Sequence, residues 1–229
     1  MKTAIVTGAS GNMGQAVVKK FLTEGYRVIG TLVPNDKMKT DITNSNFETV
    51  AVDLMNEADA QAFMDSMVSK YESIHVLVAT VGGFAMGKIA DTTTADVAKQ
   101  YKLNFETAYN IARPAFVHMV EKGAGRIFLV GSRPGINAAS GKGMIAYGLA
   151  KSLVSRLAEL MNDEAKHVNV VTSVIVPSTI DTPPNRASMP NADFDAWVKP
   201  EAIADIIYFY CTDEAAAIRE PLIKIYNKA

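Results

Sequence analysis

The chain alternates between two hydrophobic rhythms. Runs such as Thr3-Ala4-Ile5-Val6-Thr7 are largely apolar on successive residues, as strands buried on both faces of a parallel sheet are. Runs of this kind predict strands at 3–7, 27–32, 48–52, 74–79, 126–130, 169–176 and 222–226. Between them, apolar residues recur at helical spacing. The stretch 14–24 puts Val17 and Phe21 on one face, and Gly25 follows as a C-terminal stop. Further helices are expected at 57–70, 105–121, 147–162 and 201–211. This βαβαβ rhythm predicts an α/β fold, a Rossmann-type doubly wound parallel sheet of about seven strands with helices on both faces. No linker, repeat or low-complexity segment interrupts residues 1–229, so a single domain is expected. The least regular stretch, about 178–199, is rich in proline and is a candidate substrate lid.

Composition narrows the classes. With 229 residues, 48% of them hydrophobic, the chain can bury a sizeable core. The 23 Lys and Arg nearly balance 24 Asp and Glu, which argues against a nucleic-acid partner. Cys211 is the one cysteine, so no intramolecular disulfide can form and a thiolate metal site has no second ligand. It reads as a small core residue on an apolar helix face. His75, His118 and His167 have no ligand spacing and read as surface or strand-flanking residues, so no metal is expected. No apolar run approaches the roughly 18 residues of a membrane span. The first residues enter a strand pattern directly, with no visible signal peptide, and a cytoplasmic location is expected.

The first predicted strand runs into "TGASGNMG". Gly8 suits a tight turn. Gly11 and Gly14 let backbone approach a phosphate and let helix pack on strand. The helix N-terminus would then offer free N–H groups to a pyrophosphate. An ordinary glycine-rich turn is the plainer reading. No "GK[ST]" follows, so a dinucleotide fits better than a nucleoside triphosphate. The second strand ends in Leu32-Val33, neither acidic nor basic, with Asp36, Lys37 and Lys39 just beyond. NAD versus NADP therefore stays open. Asp53, ending the third strand, is placed either to accept from an adenine amino group or to cap the next helix.

In "AYGLAK", Tyr147 and Lys151 stand four apart on one helix face. A phenol titrates near ~10; a neighbouring ammonium favours its phenolate. Such a tyrosine can exchange a proton with a carbonyl or alcohol oxygen. With the glycine loop some 140 residues earlier, the pair resembles the short-chain dehydrogenase/reductase family over essentially the whole chain. "KLNFETAYN" is similar to the family helix with a catalytic asparagine, which carries over to Asn104. "FLVGSRPG" resembles the strand end with a catalytic serine, which carries over to Ser132, with Ser140 as a nearby alternative hydroxyl. "VIVPSTIDTP" resembles the segment closing over the nicotinamide, pointing to Pro177, Ile180 and Thr182.

Departures stand beside these matches. Ala79-Thr80-Val81-Gly82 replaces N-N-A-G, and Ser178 replaces a glycine. The loop spells T-G-x-x-G-x-x-G, with Asn12 where the family's shorter branch has glycine. "VGGFAMG", "GMIAYGLAK" and "IDTPPNRASMPNADFDAW" look most like the quinonoid dihydropteridine reductases.

The resemblance implies an NAD(P)H-dependent oxidoreductase moving a hydride between nicotinamide and a carbonyl, alcohol or imine substrate, such as a dihydropterin. Catalytic roles fall to Tyr147, Lys151, Asn104 and Ser132. Cofactor contacts fall to Gly8, Ser10, Gly11, Asn12, Met13, Gly14, Asp53, Leu54, Val81, Gly82, Tyr147, Lys151, Pro177, Ile180 and Thr182. Lid residues Met189, Phe194 and Trp197 would supply apolar walls, or else the segment is a surface loop pinned by one buried aromatic. Arg133 reads as solvated, with an anionic substrate group as its other candidate partner. A homodimer or homotetramer through the helices at 105–121 and 147–162 is expected by analogy. The competing reading is a non-catalytic NAD(P)-sensing regulator on the same fold.

Overall fold

The computed structural model of the chain describes residues 1–35 and 40–228. Asp36, Lys37 and Lys39 lie outside the described residues. In chain order the main elements are β1 (Thr3–Thr7), α1 (Asn12–Thr23), β2 (Arg27–Leu32), β3 (Phe47–Ala51), α2 (Glu57–Tyr71), β4 (Val76–Ala79), α3 (Thr94–Tyr101) and α4 (Thr107–Lys122). They continue as β5 (Ala124–Val130), α5 (Arg133–Ile136), α6 (Ile145–Glu164), β6 (Asn169–Pro177), α7 (Pro183–Ser188), α8 (Pro200–Phe209) and β7 (Leu222–Ile225). Seven strands pair in parallel in the order β3-β2-β1-β4-β5-β6-β7. The chain therefore changes direction across the sheet between β1 and β4, which opens a crevice at their carboxyl ends.

The unbroken apolar runs have a direct cause: alternate side chains fill two separate cores. Ile5, Ile29, Leu77 and Leu129 pack under α2, α4 and α6 with Phe63, Ile111 and Val154. Their chain neighbours Val6, Val28, Val78 and Phe128 face α1 and α8, against Phe21, Ile203 and Ile207. Each such fully buried side chain contributes about 1.5–3 kcal/mol. Strand ends differ from the predicted ones by a residue or two, with β4 starting only at Val76 and β5 already at Ala124.

Larger differences come from elements without an apolar stripe. Helix α3 buries only Gln100 and is fixed instead at its start. There Asp96 N–H donates to Thr93 Oγ1 at 3.2 Å, and Thr93 N–H donates to Asp96 Oδ2 at 2.9 Å, a capping box. It continues into α4 through a π-helical segment, Lys102–Glu106. Helix α7 lies within the stretch expected to be irregular, started by two prolines. Cys211 lies past the end of α8, partly buried beside Tyr208 and Tyr210, rather than on the helix face.

His118 corrects the surface assignment. It is buried on α4, and its Nε2 accepts the Ile74 N–H at 3.1 Å. His75 Nδ1 accepts from Thr3 N–H at 3.1 Å. Both rings must be neutral to accept, and burial lowers both pKa values below the ordinary 6.5. The unfolded chain then binds protons more readily, so their stabilisation is complete above pH 6.5 and is lost as pH falls below it. Urea unfolding from about pH 7.5 to about pH 5.5 is expected to show this loss. His118→Gln keeps an acceptor that cannot titrate and flattens the slope; an unchanged slope would contradict the assignment.

Candidate active site

The carboxyl ends of β1, β4, β5 and β6 bring the predicted residues to one edge. After β1, Gly8 turns the chain at φ +61°, a left-handed conformation suited to glycine. Helix α1 then starts so close that a Cβ on Gly14 would lie 2.2 Å from the Gly8 carbonyl oxygen. Gly11 occupies the N-cap with no side-chain cap, and the first turn holds no acidic residue. The leading amides of α1, at Asn12 and Met13, are left for an anion. Ser10 is buried, and its carbonyl accepts from Gln15 Nε2 at 2.8 Å, which holds the loop onto the helix. Asn12 begins the helix with an exposed side chain, so the missing glycine costs no backbone space. This turn, packed tightly because Gly14 has no Cβ and with the leading amides of α1 uncapped by a side chain, suits a dinucleotide pyrophosphate.

Across the crevice, Thr80 at the end of β4 ties itself to β1. Its N–H donates to Thr7 Oγ1 at 3.0 Å and its hydroxyl donates to the Thr7 carbonyl at 2.6 Å. Nothing in the sequence marks this reciprocal pair beyond a hydroxyl after each apolar run. Val81 borders Gly8, and Gly82 follows. A Cβ on Gly82 would lie 2.7 Å from Asn104 Oδ1 and 3.2 Å from Lys151 Nζ. The departure from N-N-A-G therefore keeps the one residue whose absent side chain makes room for both.

Tyr147 and Lys151 stand one turn apart on α6. The Lys151 ammonium is 4% exposed and donates to the Val130 carbonyl, at the end of β5, at 2.7 Å. Burial lowers its pKa to about 8. The pKa of the Tyr147 phenol, a partly exposed side chain, is raised by burial and pulled back by the Ser132 side chain beside it. In the chain by itself, burial thus outweighs the lowering expected from Lys151, whose Nζ sits 6.0 Å from the Tyr147 ring centroid. Ser132 is buried at the N-cap of α5, where its Oγ accepts from Gly135 N–H at 3.3 Å. A Cβ on Gly135 would lie 2.7 Å from the Lys151 backbone carbon. Only glycine there lets α5 press against α6 and bring Ser132 to Tyr147. Ser140 sits in a separate 3₁₀ turn at Ala138–Gly141.

Asn104 lies in the π-helical segment, 1% exposed. Its Oδ1 accepts from Gly83 N–H at 3.0 Å, and its Nδ2 donates to Gly83 O at 2.9 Å and to Gln100 Oε1 at 2.9 Å. The loop after Gly83 adds residues that sequence reading passed over. Phe84 is 61% exposed, and its ring meets Tyr147 edge-to-face at 5.2 Å. Gly87 N–H donates to Gly143 O at 2.7 Å, and Ile145 N–H donates to Gly87 O at 3.1 Å, fixing this loop to the start of α6.

The remaining predicted residues spread more widely. Pro177 closes β6, Ile180 bridges to Val198, and Thr182 caps α7. Asp53 is not the cap of α2; Asn56 is, accepting from Ala58 N–H at 3.0 Å. Asp53 lines a cavity of about 350 Å³ with Pro34, Val52 and Phe63, at the end of β3. Leu54 is a core residue whose carbonyl accepts from Asn110 Nδ2. A groove of about 470 Å³ runs between α1 and α8, bordered by Asn12, Asp181 and Pro183; Tyr147, Ser132 and Lys151 do not line it. In the lid segment Trp197 is buried against Phe194, while Met189 is exposed. Arg133 stacks over the Tyr226 ring at 4.9 Å rather than pointing freely into solvent. Among the described residues no group of three or more His, Cys, Asp or Glu is placed to hold a metal, and no helix is long and apolar enough to cross a membrane.

Because Gly14 abuts backbone, Gly14→Ala cannot be relieved by a side-chain rotation. It is expected to destabilise the chain by about 3 kcal/mol and to abolish nicotinamide dinucleotide binding, read by thermal denaturation and cofactor fluorescence. Wild-type affinity in the variant would show that the cradle holds no pyrophosphate.

Several known proteins resemble this chain along most of its length. An acetoacetyl-CoA reductase of Acinetobacter sp. (strain RA3849) is 26% identical over 190 residues, spanning 80% of this chain and 75% of that protein. An uncharacterized oxidoreductase of Bacillus subtilis (strain 168) is 27% identical over 244 residues, spanning 95% and 92%. A short-chain type dehydrogenase/reductase from Mycobacterium ulcerans has the same fold, with a TM-score of 0.89 at 22% identity over 99% of this chain and 89% of that one. The profile of the short chain dehydrogenase family matches residues 2–193, and the chain belongs to that family.

Proposed function

We propose that the protein is an NAD(P)H-dependent oxidoreductase that reduces a carbonyl or imine, or runs the reverse oxidation. Tyr147 standing one turn from buried Lys151 on α6, with the Ser132 side chain beside its phenol and Gly82 leaving space for the ammonium, carries this reading. The bound nicotinamide supplies the hydride. Ser132 and Tyr147 converge on the place of one substrate oxygen. Ser132 donates a hydrogen bond to it, and Tyr147 gives or takes its proton. Lys151, held by the Val130 carbonyl, keeps a positive charge next to the phenol and reaches the nicotinamide ribose. Asn104 Oδ1 and Lys151 Nζ both border the space left by the absent Gly82 side chain, and Asn104 is placed to pin a water that links the ammonium to solvent. Pro177, Ile180 and Thr182 border the nicotinamide end, and Asp53 the adenine end. The regulator reading leaves this Tyr–Lys–Asn–Ser arrangement without a task.

For the substrate, the reading favours a planar ring such as a quinonoid dihydropterin. Phe84 presents an exposed aromatic face next to Tyr147, and Met86 on the same loop is 66% exposed. For assembly, it favours a homodimer or homotetramer. Tyr109 and Val117 on α4, and Leu149, Leu153 and Leu160 on α6, are large apolar side chains left exposed on two neighbouring helices.

Titrating NADH and NADPH separately, by nicotinamide fluorescence, identifies the cofactor. A panel of aldehydes, diketones, quinones and quinonoid dihydropterin then reads turnover. Tyr147→Phe is expected to lower kcat about a thousandfold with cofactor binding kept. Oxidation of neither cofactor by any member would overturn the reading, and substantial activity in Tyr147→Phe would overturn the assignment of Tyr147. In analytical ultracentrifugation, Leu149→Glu with Leu153→Glu is expected to yield a monomer from an oligomeric wild type; a wild type that is already monomeric rejects the assembly.

A further inference from the structure

Arg133 follows Ser132 directly and has no task in the chemistry above. Its side chain is partly buried and lies over the ring of Tyr226, just past β7, at 4.9 Å. A ring face attracts the charge but spends none of the five N–H donors of a guanidinium. Arg113, Arg126, Arg156, Arg186 and Arg219 spend theirs on side-chain or backbone oxygens. Arg27, also set over a ring, has Glu48 nearby. Among the described residues no ion pair involves Arg133. The ring beneath it is held on both sides along the chain. Ser178 N–H donates to Ile225 O at 2.9 Å, and Ser178 Oγ donates to Tyr226 O at 2.9 Å. Asn227 Nδ2 donates to Trp197 O at 2.9 Å and to Asp195 O at 3.1 Å. Tyr226 and Ile136 both pack against the core beneath α2, α4 and α6. The stack therefore stands on the side of the sheet that carries Tyr147 and Lys151.

We infer that Arg133 is a specificity-determining residue that receives a carboxylate of the substrate. This rests on the proposed function, in which Ser132 and Tyr147 hold the substrate oxygen. A guanidinium matches a carboxylate with two parallel N–H···O bonds. Braced on a ring that is itself tied down, it loses little freedom when the anion arrives. Because Arg133 is the residue after Ser132, the carboxylate stands within a few bonds of the carbonyl that Ser132 contacts. Phe84 asks for a flat ring and Arg133 for an anion. An aryl oxo acid offers both, whereas a dihydropterin offers the ring alone. The reaction then turns an oxo acid into a hydroxy acid: NAD(P)H gives the hydride to the carbonyl carbon, and Tyr147 gives the proton to its oxygen. Ser178 gains a purpose as well. The glycine that it replaces would lack the hydroxyl that ties Tyr226 in place under the guanidinium.

The test sets carboxylates against their neutral counterparts. Benzoate and methyl benzoate are titrated by calorimetry against the protein with the oxidised cofactor that it binds, or alone if it binds neither. In the wild type benzoate is expected to bind at least about tenfold tighter than the ester, and in Arg133→Met this preference is expected to vanish. Tyr226→Leu, which keeps the arginine and removes its brace, is expected to weaken benzoate about threefold. For turnover, phenylglyoxylate and benzoylacetate are each compared with their methyl esters. At least one acid is expected to exceed its ester about tenfold in kcat/KM, with the ratio near one in Arg133→Met. Benzoate that binds no tighter than its ester in the wild type, or as tightly in Arg133→Met, overturns the inference. So do oxo acids turned over no better than their esters by a chain that reduces another member of the panel. If Arg133→Met does not fold, Arg133→Lys takes its place. It keeps the charge without the fork, about fivefold weaker benzoate binding is expected, and unchanged affinity overturns the inference. A chain that oxidises neither cofactor fails the oxidoreductase reading separately, while benzoate binding still reports on Arg133.

Discussion

The burial of one ammonium group governs the geometry of this site. Lys151 is nearly inaccessible, and among the described residues the hydrogen bond recorded for its Nζ goes to the last carbonyl of β5. A buried cation is costly unless its surroundings are arranged for it. The arrangement draws on four parts of the chain. The end of β5 supplies the acceptor. Gly82, after β4, leaves the space in which Asn104 Oδ1 and Lys151 Nζ approach. Gly135 lets α5 lie directly on the Lys151 backbone. The π-helical segment turns Asn104 inward. Tyr147 and Ser132 inherit their positions from these contacts.

The glycines act here through absence of volume rather than through flexibility. Among Gly8, Gly14, Gly82 and Gly135, Gly8 alone has a left-handed backbone. Gly14, Gly82 and Gly135 have ordinary backbone angles but touch carbonyl oxygens, an amide or a helix backbone where a methyl group would sit. This explains how the loop can depart from the usual spelling at Asn12 and still work. At Asn12 the chain has already entered the helix, and its side chain points outward. Spacing matters only at the points of contact.

Most of the sheet was legible in the sequence, because strands covered on both faces must be apolar at successive positions and Val, Ile and Leu in such runs have few other uses. Helices with an apolar stripe were equally visible. What escaped were elements specified by polar contacts. Helix α3 is started by a Thr93–Asp96 capping box and faces inward with Gln100, so no hydrophobic period announces it. His118 sits on a helix whose stripe was recognised, yet an imidazole accepting a backbone N–H reads in sequence like any surface histidine. Tyr147, Lys151, Asn104 and Ser132 were found through family resemblance, and the structure brings them to one edge. Thr80 lay in the segment where the chain departs from the family's spelling, and Phe84, though inside the quoted "VGGFAMG", was given no role of its own because its contact with Tyr147 joins residues far apart in the chain. The choice between NAD and NADP hinged on residues just after β2, and Leu32-Val33 carries no charge to decide it.

The reciprocal hydrogen bonds between Thr7 and Thr80 span the two strands on either side of the crevice. They act as a rivet between its banks. The slot between β1 and β4 consequently has a fixed gauge: neither bank can swing outward without giving up both bonds at once. Any adaptation to ligands of different size must come from the outer rim, where Phe84, Met86 and the α7 segment stand in solvent. Rigid floor and variable rim are thereby separated within a few residues of one another, and a change of substrate preference can evolve at the rim while the floor stays as it is.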